Sequence, residues 1–331
     1  MNSLYPWQHS AWTQLRARVD QNQLPHALLL TGPVGVGKRD FAEAFGRSLL
    51  CKHPLDNGLA CGNCQACQLL RAGTHPDYLT ITFLEDKTQI GIDQIRALSR
   101  SLSFKSHAGG YKVARVLPAE QMTVEAANSL LKTLEEPTDN TVLILITEQP
   151  AQLAATIRSR CQRLQFPPPS IEQGLEWLST QLDGQATELL LRLADAAPLR
   201  AVALAQDGTL ANRSTWLEQM IGIRRGQQSP IAVAAEWAQD AEVRPLYWFM
   251  SYLKDMIRLS YGGVDYIKNI DLAEALQVIM NHLSRHDLLS VLTNAEQTQQ
   301  LAQQAGINRQ LLLEGLLIEW NRVGRNRRAR A

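Results

Sequence analysis

The chain has 331 residues, 45% hydrophobic and 20% charged, a composition that supports two or three globular domains with cores of their own. Its 33 basic and 32 acidic residues leave a formal net charge of +1, which excludes a global field strong enough by itself to bind nucleic acid. The N-terminal segment lacks a basic stretch followed by an apolar one, and the most apolar run, 142–146, is too short to span a bilayer. We therefore expect a cytoplasmic protein without a membrane partner.

Up to about residue 166, short apolar runs alternate with amphipathic segments, as in a mostly parallel sheet covered by helices. Between the last two predicted strands, apolar residues at helical spacing follow Thr123, a favourable N-cap, and stop before Pro137, which predicts a packed helix. Three consecutive prolines within 166–170 mark a domain boundary, and helical patterns dominate beyond it. The predicted strands are 27–31, 78–83, 112–117 and 142–147.

A glycine loop in the sequence LLLTGPVGVGKRD joins the first predicted strand to a predicted helix, which is the context of a phosphate-binding loop. Gly32, Gly37 and Lys38 fit the pattern GxxxxGK, and backbone amides near Gly35 and Gly37 would cradle phosphates together with Lys38. The next residue normally supplies a hydroxyl ligand to Mg²⁺, but here it is Arg39. The loop is therefore degenerate, and we expect nucleotide binding there to be weak or vestigial.

Four of the five cysteines are spaced by nine, two and two residues, at Cys51, Cys61, Cys64 and Cys67. Two intervening residues let successive thiolates converge on one ion, and four such ligands complete a closed tetrahedral zinc site of structural type. Buried free thiols or a CxxC redox pair are the alternatives, but neither accounts for the fourth cysteine. His53 and His75 could substitute as ligands, but we expect each to be a satisfied surface residue or to lie around the ligands without binding the metal. The metal is expected to brace this insertion, since four protein ligands leave no position for a reactive water.

The predicted strand 112–117 ends in Leu117 and Pro118, where a working nucleotide site would have carboxylates for metal binding and water activation. Glu120 lies too late in the sequence to replace them cleanly. The missing hydroxyl and the missing carboxylates would act on the same metal, so their joint loss should nearly abolish hydrolysis. We expect that the isolated chain does not hydrolyse ATP.

The order of the motifs resembles that of bacterial DNA polymerase III clamp-loader subunits, which are AAA+ proteins. The motifs are the phosphate loop, the four cysteines, HPDY at 75–78, NSLLKTLEEP at 128–137 and SRC at 159–161. The resemblance implies an α/β AAA+ fold, with a P-loop, a RecA-like parallel sheet and a zinc-binding insertion, followed by a small helical lid and an all-α C-terminal domain. The implied domains are 1–166, with the cysteine module at about 51–67, then a lid at 167–208 and a collar or oligomerisation domain at 209–331.

In this family the active tau and gamma subunits keep a full phosphate loop and a strand-end acidic pair, and this chain has neither. The resemblance therefore implies a non-hydrolysing subunit of the DNA polymerase III holoenzyme, a nucleotidyltransferase complex. Its partners would be tau/gamma ATPase subunits and a delta subunit in a hetero-pentameric ring that loads a sliding clamp onto primed DNA. The family's SRC arginine reaches the neighbouring subunit's ATP, a role that transfers to Arg160 here. Thr147 and Arg200 match nucleotide-sensing positions and are expected to be remnants or packing groups.

Two other functions stay open at the level of sequence. An autonomous P-loop ATPase would show turnover by the chain alone that depends on Lys38. A zinc-containing nucleic-acid-binding module would use the segment 322–330, which has five arginines, as an electrostatic arm. Steeply salt-dependent DNA binding that is lost with this segment would identify the second.

Overall fold

A computed structural model of the protein describes residues 4–85, 87–182, 187–281, 283–302 and 306–324. The strands are β1 (Ala27–Thr31), β2 (Tyr78–Ile81), β3 (Lys112–Val116), β4 (Thr141–Thr147) and β5 (Gln162–Gln165). The helices are α1 (His9–Asp20), α2 (Lys38–Leu50), α3 (Gln65–Arg71), α4 (Ile92–Ser103), α5 (Val124–Glu135), α6 (Ala155–Arg158), α7 (Ile171–Ser179), α8 (Glu188–Leu193), α9 (Pro198–Gln206), α10 (Thr209–Arg225), α11 (Pro230–Trp237), α12 (Arg244–Ser260), α13 (Ala273–Met280), α14 (Arg285–Ala302) and α15 (Arg309–Arg322).

The chain divides into two compact units. Unit 1 comprises Met1–Trp177 and Ala197–Arg200, and unit 2 comprises Leu178–Ala196 and Ala201–Ala331. The three-part division at residues 166 and 208 stays a prediction. Among the described residues, none of the helices combines the length and the apolar character that crossing a bilayer requires.

Unit 1 is built on a parallel five-stranded sheet with the order β2-β3-β4-β1-β5. Strands β1, β3 and β4 are buried along their whole length because helices cover both faces of the sheet. Alternate residues of β1 enter different cores: Leu28 and Leu30 pack with residues of α1 and α2, whereas Leu29 packs with residues of α4 and α5. The predicted α/β class with a mostly parallel, helix-covered sheet is confirmed, and β1 leads directly into the glycine loop at its carboxyl end.

The predicted elements of unit 1 agree with the structure except at their ends and at one strand. β1 matches its prediction, β2 and β3 end earlier than predicted, and β4 begins one residue earlier. Thr123 caps α5 as expected, since its side chain accepts a hydrogen bond from the Ala126 amide (3.2 Å). β5 was missed because it has a single apolar residue, Leu164, between polar ones on the edge of the sheet.

Unit 2 is helical, and its core contains large aromatic side chains whose polar atoms are satisfied. The Trp237 indole N–H donates to Gln219 Oε1 (2.6 Å), and the Trp320 indole N–H donates to the Met220 carbonyl (3.0 Å). Buried indoles need such acceptors because an unpaired N–H in a core is unfavourable.

Candidate functional sites: phosphate loop, exposed arginine and cysteine cluster

The glycine loop keeps the backbone shape of a phosphate loop, but other residues of the chain pack closely against it. Gly35 and Gly37 have φ of 85° and 81°, a region that glycine adopts most readily. A Cβ at Gly37 would lie 2.5 Å from the ring of Tyr5, and one at Gly35 would lie 2.7 Å from Cβ of Arg200. The two glycines are therefore needed here for close packing by the protein's own residues as well as for the turn.

Lys38 is turned onto the loop itself. Its side chain is buried, and Nζ donates hydrogen bonds to the carbonyls of Gly32 (2.8 Å) and Pro33 (2.7 Å). Burial lowers the pKa of Lys38, and the carboxylate of Glu148 opposes that shift. Arg39 is exposed, its positive charge contributes to the lowered pKa of Lys38, and it supplies no hydroxyl ligand.

A segment ahead of α1 covers the loop from outside. The Trp7 indole N–H donates to the Val36 carbonyl (3.0 Å), and Gln8 Nε2 donates to the carbonyls of Val36 (3.1 Å) and Gly37 (2.8 Å). This cover was not predicted, because the N-terminal segment has no targeting pattern and its contacts with the loop are tertiary. The available signal was the aromatic pair in YPWQ, which precedes the first amphipathic helix.

Tyr5 completes the cover. Its ring stacks on Trp7 (centroids 5.1 Å apart), and both rings meet Trp177 edge-on at 5.5 Å. The Tyr5 hydroxyl donates to Asp40 Oδ2 (3.1 Å) in the first turn of α2. Burial, together with the charge of Asp40, raises the pKa of Tyr5 to about 12, so this phenol stays protonated at neutral pH and remains a donor.

A carboxylate reaches the loop edge of the sheet, contrary to the expectation drawn from the position of Glu120 in the sequence. Glu120 lies in a short 3-10 turn after β3, and its Oε1 accepts a hydrogen bond from the Glu148 amide (3.1 Å). The charges of both glutamates act on Lys38 and raise its pKa against the effect of burial. Within the described residues, Glu120 Oε2 is buried and has no hydrogen-bond partner. The turn after the strand brings this side chain back, which spacing alone could not indicate.

Arg160 stands between two buried anchors, Ile157 and Cys161, in the short segment from α6 to β5. Its side chain is 36% exposed, and Nη2 pairs with Glu135 Oε1 at 2.5 Å. Nη1 donates to the Thr156 carbonyl at 3.0 Å. Cys161 is a small buried side chain, and burial raises the pKa of its thiol to about 11.

Arg160 and the glycine loop lie at opposite ends of two neighbouring strands, β5 and β1. β1 and β5 are parallel and in register, with Leu28 opposite Gln162 and Thr31 opposite Gln165. Arg160 precedes β5, whereas the loop follows β1, so a strand length separates them. Five residues of parallel strand span about 16 Å. Arg160 therefore does not contribute to the phosphate loop of its own chain.

The four predicted metal ligands converge. The Sγ atoms of Cys51, Cys61, Cys64 and Cys67 all lie within 4.8 Å of one another. The separations are 3.9 Å for Cys51–Cys64, 3.9 Å for Cys61–Cys67 and 3.7 Å for Cys51–Cys67. Bonds of about 2.3 Å to a tetrahedral zinc ion imply sulfur separations of about 3.8 Å. The cluster can therefore hold a metal ion, and its dimensions fit zinc.

Backbone amides favour the thiolate of Cys61, whereas burial raises the pKa of Cys51 and raises that of Cys67 to about 12. The Cys61 amide donates to Cys51 Sγ (3.3 Å), and the Cys64 amide donates to Cys61 Sγ (3.4 Å). Hydrogen bonds from the amides of Asn63 and Cys64 lower the pKa of Cys61, which favours the deprotonated form that a metal binds. The donor set is thus suited to a cation without any further protein ligand.

The two candidate histidines lie outside this set. His53 is exposed, and His75 is buried, with Nδ1 accepting a hydrogen bond from the Asp77 amide (3.2 Å). The cysteine module is anchored to unit 1 by Trp12, whose indole N–H donates to the Asn57 carbonyl (2.9 Å).

Thr147 is fully buried, with its Oγ1 accepting from the Gln149 amide. The basic segment 322–330 is described only as far as Gly324, and the remainder lies outside the described residues.

Comparison with known proteins gives matches along nearly the whole chain. The family described as "DNA polymerase III, delta subunit" matches residues 7–170, and "DNA polymerase III, delta subunit, C terminal" matches residues 207–322. The DNA polymerase III subunit delta' of Pseudomonas aeruginosa is 38% identical over 97% of this chain and 98% of its own length. Subunit delta' of Escherichia coli is 35% identical over 95% of this chain and 94% of its own. Subunit tau of Bacillus subtilis is 31% identical over 61% of this chain but 34% of its own length.

Proposed function

Because the chain belongs to the DNA polymerase III delta' family, we propose that it is a clamp-loader subunit that supplies Arg160 to the ATP site of a neighbouring subunit and does not hydrolyse ATP itself. The observation that carries this proposal is the position of Arg160. It is partly exposed and belongs to the SRC motif. It precedes β5, so it lies at the opposite end of the strands from the phosphate loop that follows β1. A cation there can act on a nucleotide only if another subunit presents one.

Three features of the phosphate loop support the absence of hydrolysis by this chain. Arg39 replaces the hydroxyl ligand of Mg²⁺. Lys38 binds the carbonyls of Gly32 and Pro33 instead of being held ready for phosphate oxygens. The segment containing Trp7 packs on the loop from outside. A nucleotide would have to displace these contacts before its phosphates could reach the loop amides, so we expect Gly32, Gly35, Gly37 and Lys38 to form a weak or vestigial site.

Arginines supplied by a neighbouring subunit stabilise the charge that develops on the transferred phosphoryl group. Their contribution to the rate is about 10³ to 10⁵. The guanidinium of Arg160 has five N–H donors, and its recorded contacts are with Glu135, Thr156 and Ser159, so donors remain for phosphate oxygens. A chain without its own hydrolytic site can therefore be required for hydrolysis by the assembly.

The cysteine cluster would hold zinc as a structural ion. Four sulfur ligands close the coordination sphere, so the metal would supply stability and no chemistry of its own. The module rests against Trp12 of α1, and Leu59 of the module and Leu70 of α3 belong to the same core. Zinc would thus link the insertion to the helices that cover one face of the sheet.

The proposed partners are tau/gamma ATPase subunits and a delta subunit in a hetero-pentameric ring, with a sliding clamp and primed DNA bound by the assembly as a whole. The proposed domains are the AAA+ domain 1–166, a lid at 167–208 and a collar at 209–331. The similarity to tau supports a common ancestry with an ATPase subunit. The near-neutral charge supports DNA contact through the assembly more than through this chain alone.

Arg160→Ala in a reconstituted loader tests the proposal. In single-turnover experiments, ATP held at the site next to this chain should hydrolyse at about one thousandth of the normal rate or more slowly. Arg158→Ala is the matched control because Arg158 is an exposed arginine two residues away. Gel filtration should show intact assemblies for both variants. Unchanged hydrolysis with Arg160→Ala would contradict the role in trans.

A further inference from the structure

We propose that Glu135 is a positioning residue that holds the guanidinium of Arg160 in the orientation in which it meets the neighbouring subunit's ATP. This inference rests on the proposed function of Arg160. It concerns how that side chain is prepared for its contact, which the SRC motif by itself does not address.

Two fixed acceptors define the plane of the guanidinium. Glu135 Oε1 lies 2.5 Å from Nη2, and the Thr156 carbonyl accepts from Nη1 at 3.0 Å. A guanidinium is planar, so contacts at two of its nitrogens fix its orientation. Among the described residues, the Nε–H of Arg160 donates no hydrogen bond, and the side chain is 36% exposed. The arginine is thus oriented and still has donors for a phosphate.

Both acceptors are attached to rigid parts of unit 1. Glu135 is the last residue of α5, directly after the buried Leu134, whose carbonyl accepts a hydrogen bond from His26 Nε2 (3.1 Å). Thr156 belongs to α6, next to the fully buried Ile157. The backbones that carry both acceptors are therefore held by buried neighbours, while the side chains of Glu135 and Arg160 themselves are 50% and 36% exposed.

The position of Glu135 is unfavourable for the helix that carries it. The C-terminal end of a helix bears partial negative charge, so acidic residues are disfavoured there. Helix α5 nevertheless ends in Glu135 and is followed by Glu136. The ion pair with Arg160 offsets this repulsion for Glu135, whereas no ion pair of Glu136 is found among the described residues. An acidic residue kept at an unfavourable helix end, where it pairs with one arginine, is the kind of exception expected at functional positions.

An acidic partner also has a disadvantage, since it lowers the positive potential that Arg160 presents to a phosphate. The benefit must therefore lie in orientation. An unpaired surface arginine samples many rotamers, and fixing it beforehand reduces the entropy lost when the transition state forms. The alternative, in which Glu135 restrains Arg160 away from the neighbouring site, predicts the opposite change in rate and is separated by experiment.

The test uses the reconstituted loader with Glu135→Ala, Glu135→Gln and Arg160→Ala, together with the double variant. Glu136→Ala is the matched control. We expect Glu135→Ala to lower kcat about two- to fivefold, the range for losing an exposed ion pair. KM for ATP should not change, because the neighbouring subunit binds the nucleotide. Glu135→Gln retains an acceptor oxygen and should recover part of the rate, and Glu136→Ala should behave as wild type.

The double variant distinguishes action through Arg160 from an independent effect. If Glu135 works through Arg160, adding Glu135→Ala to Arg160→Ala lowers kcat no further. Additive losses, a wild-type rate for Glu135→Ala, or a faster rate would each overturn the positioning role while leaving the role of Arg160 intact. A wild-type rate for Arg160→Ala would instead overturn the proposed function, and with it this inference. Gel filtration of each assembly confirms that the variants fold and associate.

Discussion

Asp77 illustrates at the residue scale how one buried carboxylate organises an edge of the sheet. It has no exposed surface and directly precedes β2. Oδ1 accepts from the His107 amide (2.9 Å), and Oδ2 accepts from Ser106 Oγ (2.9 Å) and the Ala108 amide (3.0 Å). Burial alone would raise the pKa of Asp77, but these hydrogen bonds outweigh it and lower the pKa. The ionised carboxylate thus fastens the turn ahead of β3.

Asp77→Asn should lower the free energy of unfolding by about 2 kcal/mol at pH 7, because hydrogen bonds to a charged acceptor are lost. A carboxyl group whose pKa is depressed by folding stabilises the protein above its unfolded pKa, near 4, and loses that contribution as pH falls through the folded pKa. The difference between wild type and variant should therefore shrink below pH 4.

Urea unfolding followed by circular dichroism from pH 7 to pH 3 measures this difference. Asp139→Asn is the control, since Asp139 is exposed, and it should change stability little. A gap between wild type and Asp77→Asn that stays constant over this pH range would show that the carboxylate charge is not responsible.

At the scale of elements, the sequence analysis succeeded where the signal is local. The glycine loop between β1 and α2, the Thr123 cap and the cysteine spacing each depend on residues close together in the chain. It failed where tertiary contacts decide the structure. β5 has too little apolar pattern to be recognised before the sheet exists, and the aromatic pair in YPWQ does not by itself indicate that Tyr5 packs on the glycine loop. The Glu135–Arg160 pair joins two motifs whose proximity only the fold reveals.

The cysteine module is the element whose stability depends most directly on a ligand. Cys64→Ser removes one of four thiolates, so we expect the purified chain to lose its zinc, about one equivalent per chain, and the module to unfold locally. Native mass spectrometry measures the metal, and hydrogen exchange across residues 51–71 measures the local loss of protection.

Cys161→Ser is the matched control because Cys161 is a buried cysteine outside the cluster. It should retain the metal. Full zinc retention by Cys64→Ser would remove Cys64 from the ligand set, and equal loss from both variants would indicate a general folding defect.

At the scale of the whole molecule, this account separates the nucleotide fold from nucleotide chemistry. The chain keeps the sheet, the glycine loop and Lys38, but its own side chains pack on the loop and Arg39 stands where Mg²⁺ needs a hydroxyl. Arg160 precedes β5, at the opposite end of the strands from the loop, where we propose that it acts on a neighbouring subunit's nucleotide. The missing metal ligands and the SRC motif were enough to predict a chain that does not hydrolyse ATP itself. That Arg160 and the loop lie at opposite ends of neighbouring strands could be seen only from the strand order and register.

ATP hydrolysis by the chain alone, and then mixed with the ATPase and delta subunits, tests the central claim most directly. We expect no turnover above background for the isolated chain. The mixture should hydrolyse ATP at a rate that Lys38→Ala in this chain leaves unchanged and Arg160→Ala lowers. Turnover by the isolated chain that Lys38→Ala abolishes would contradict the account, because the phosphate loop would then be a working site.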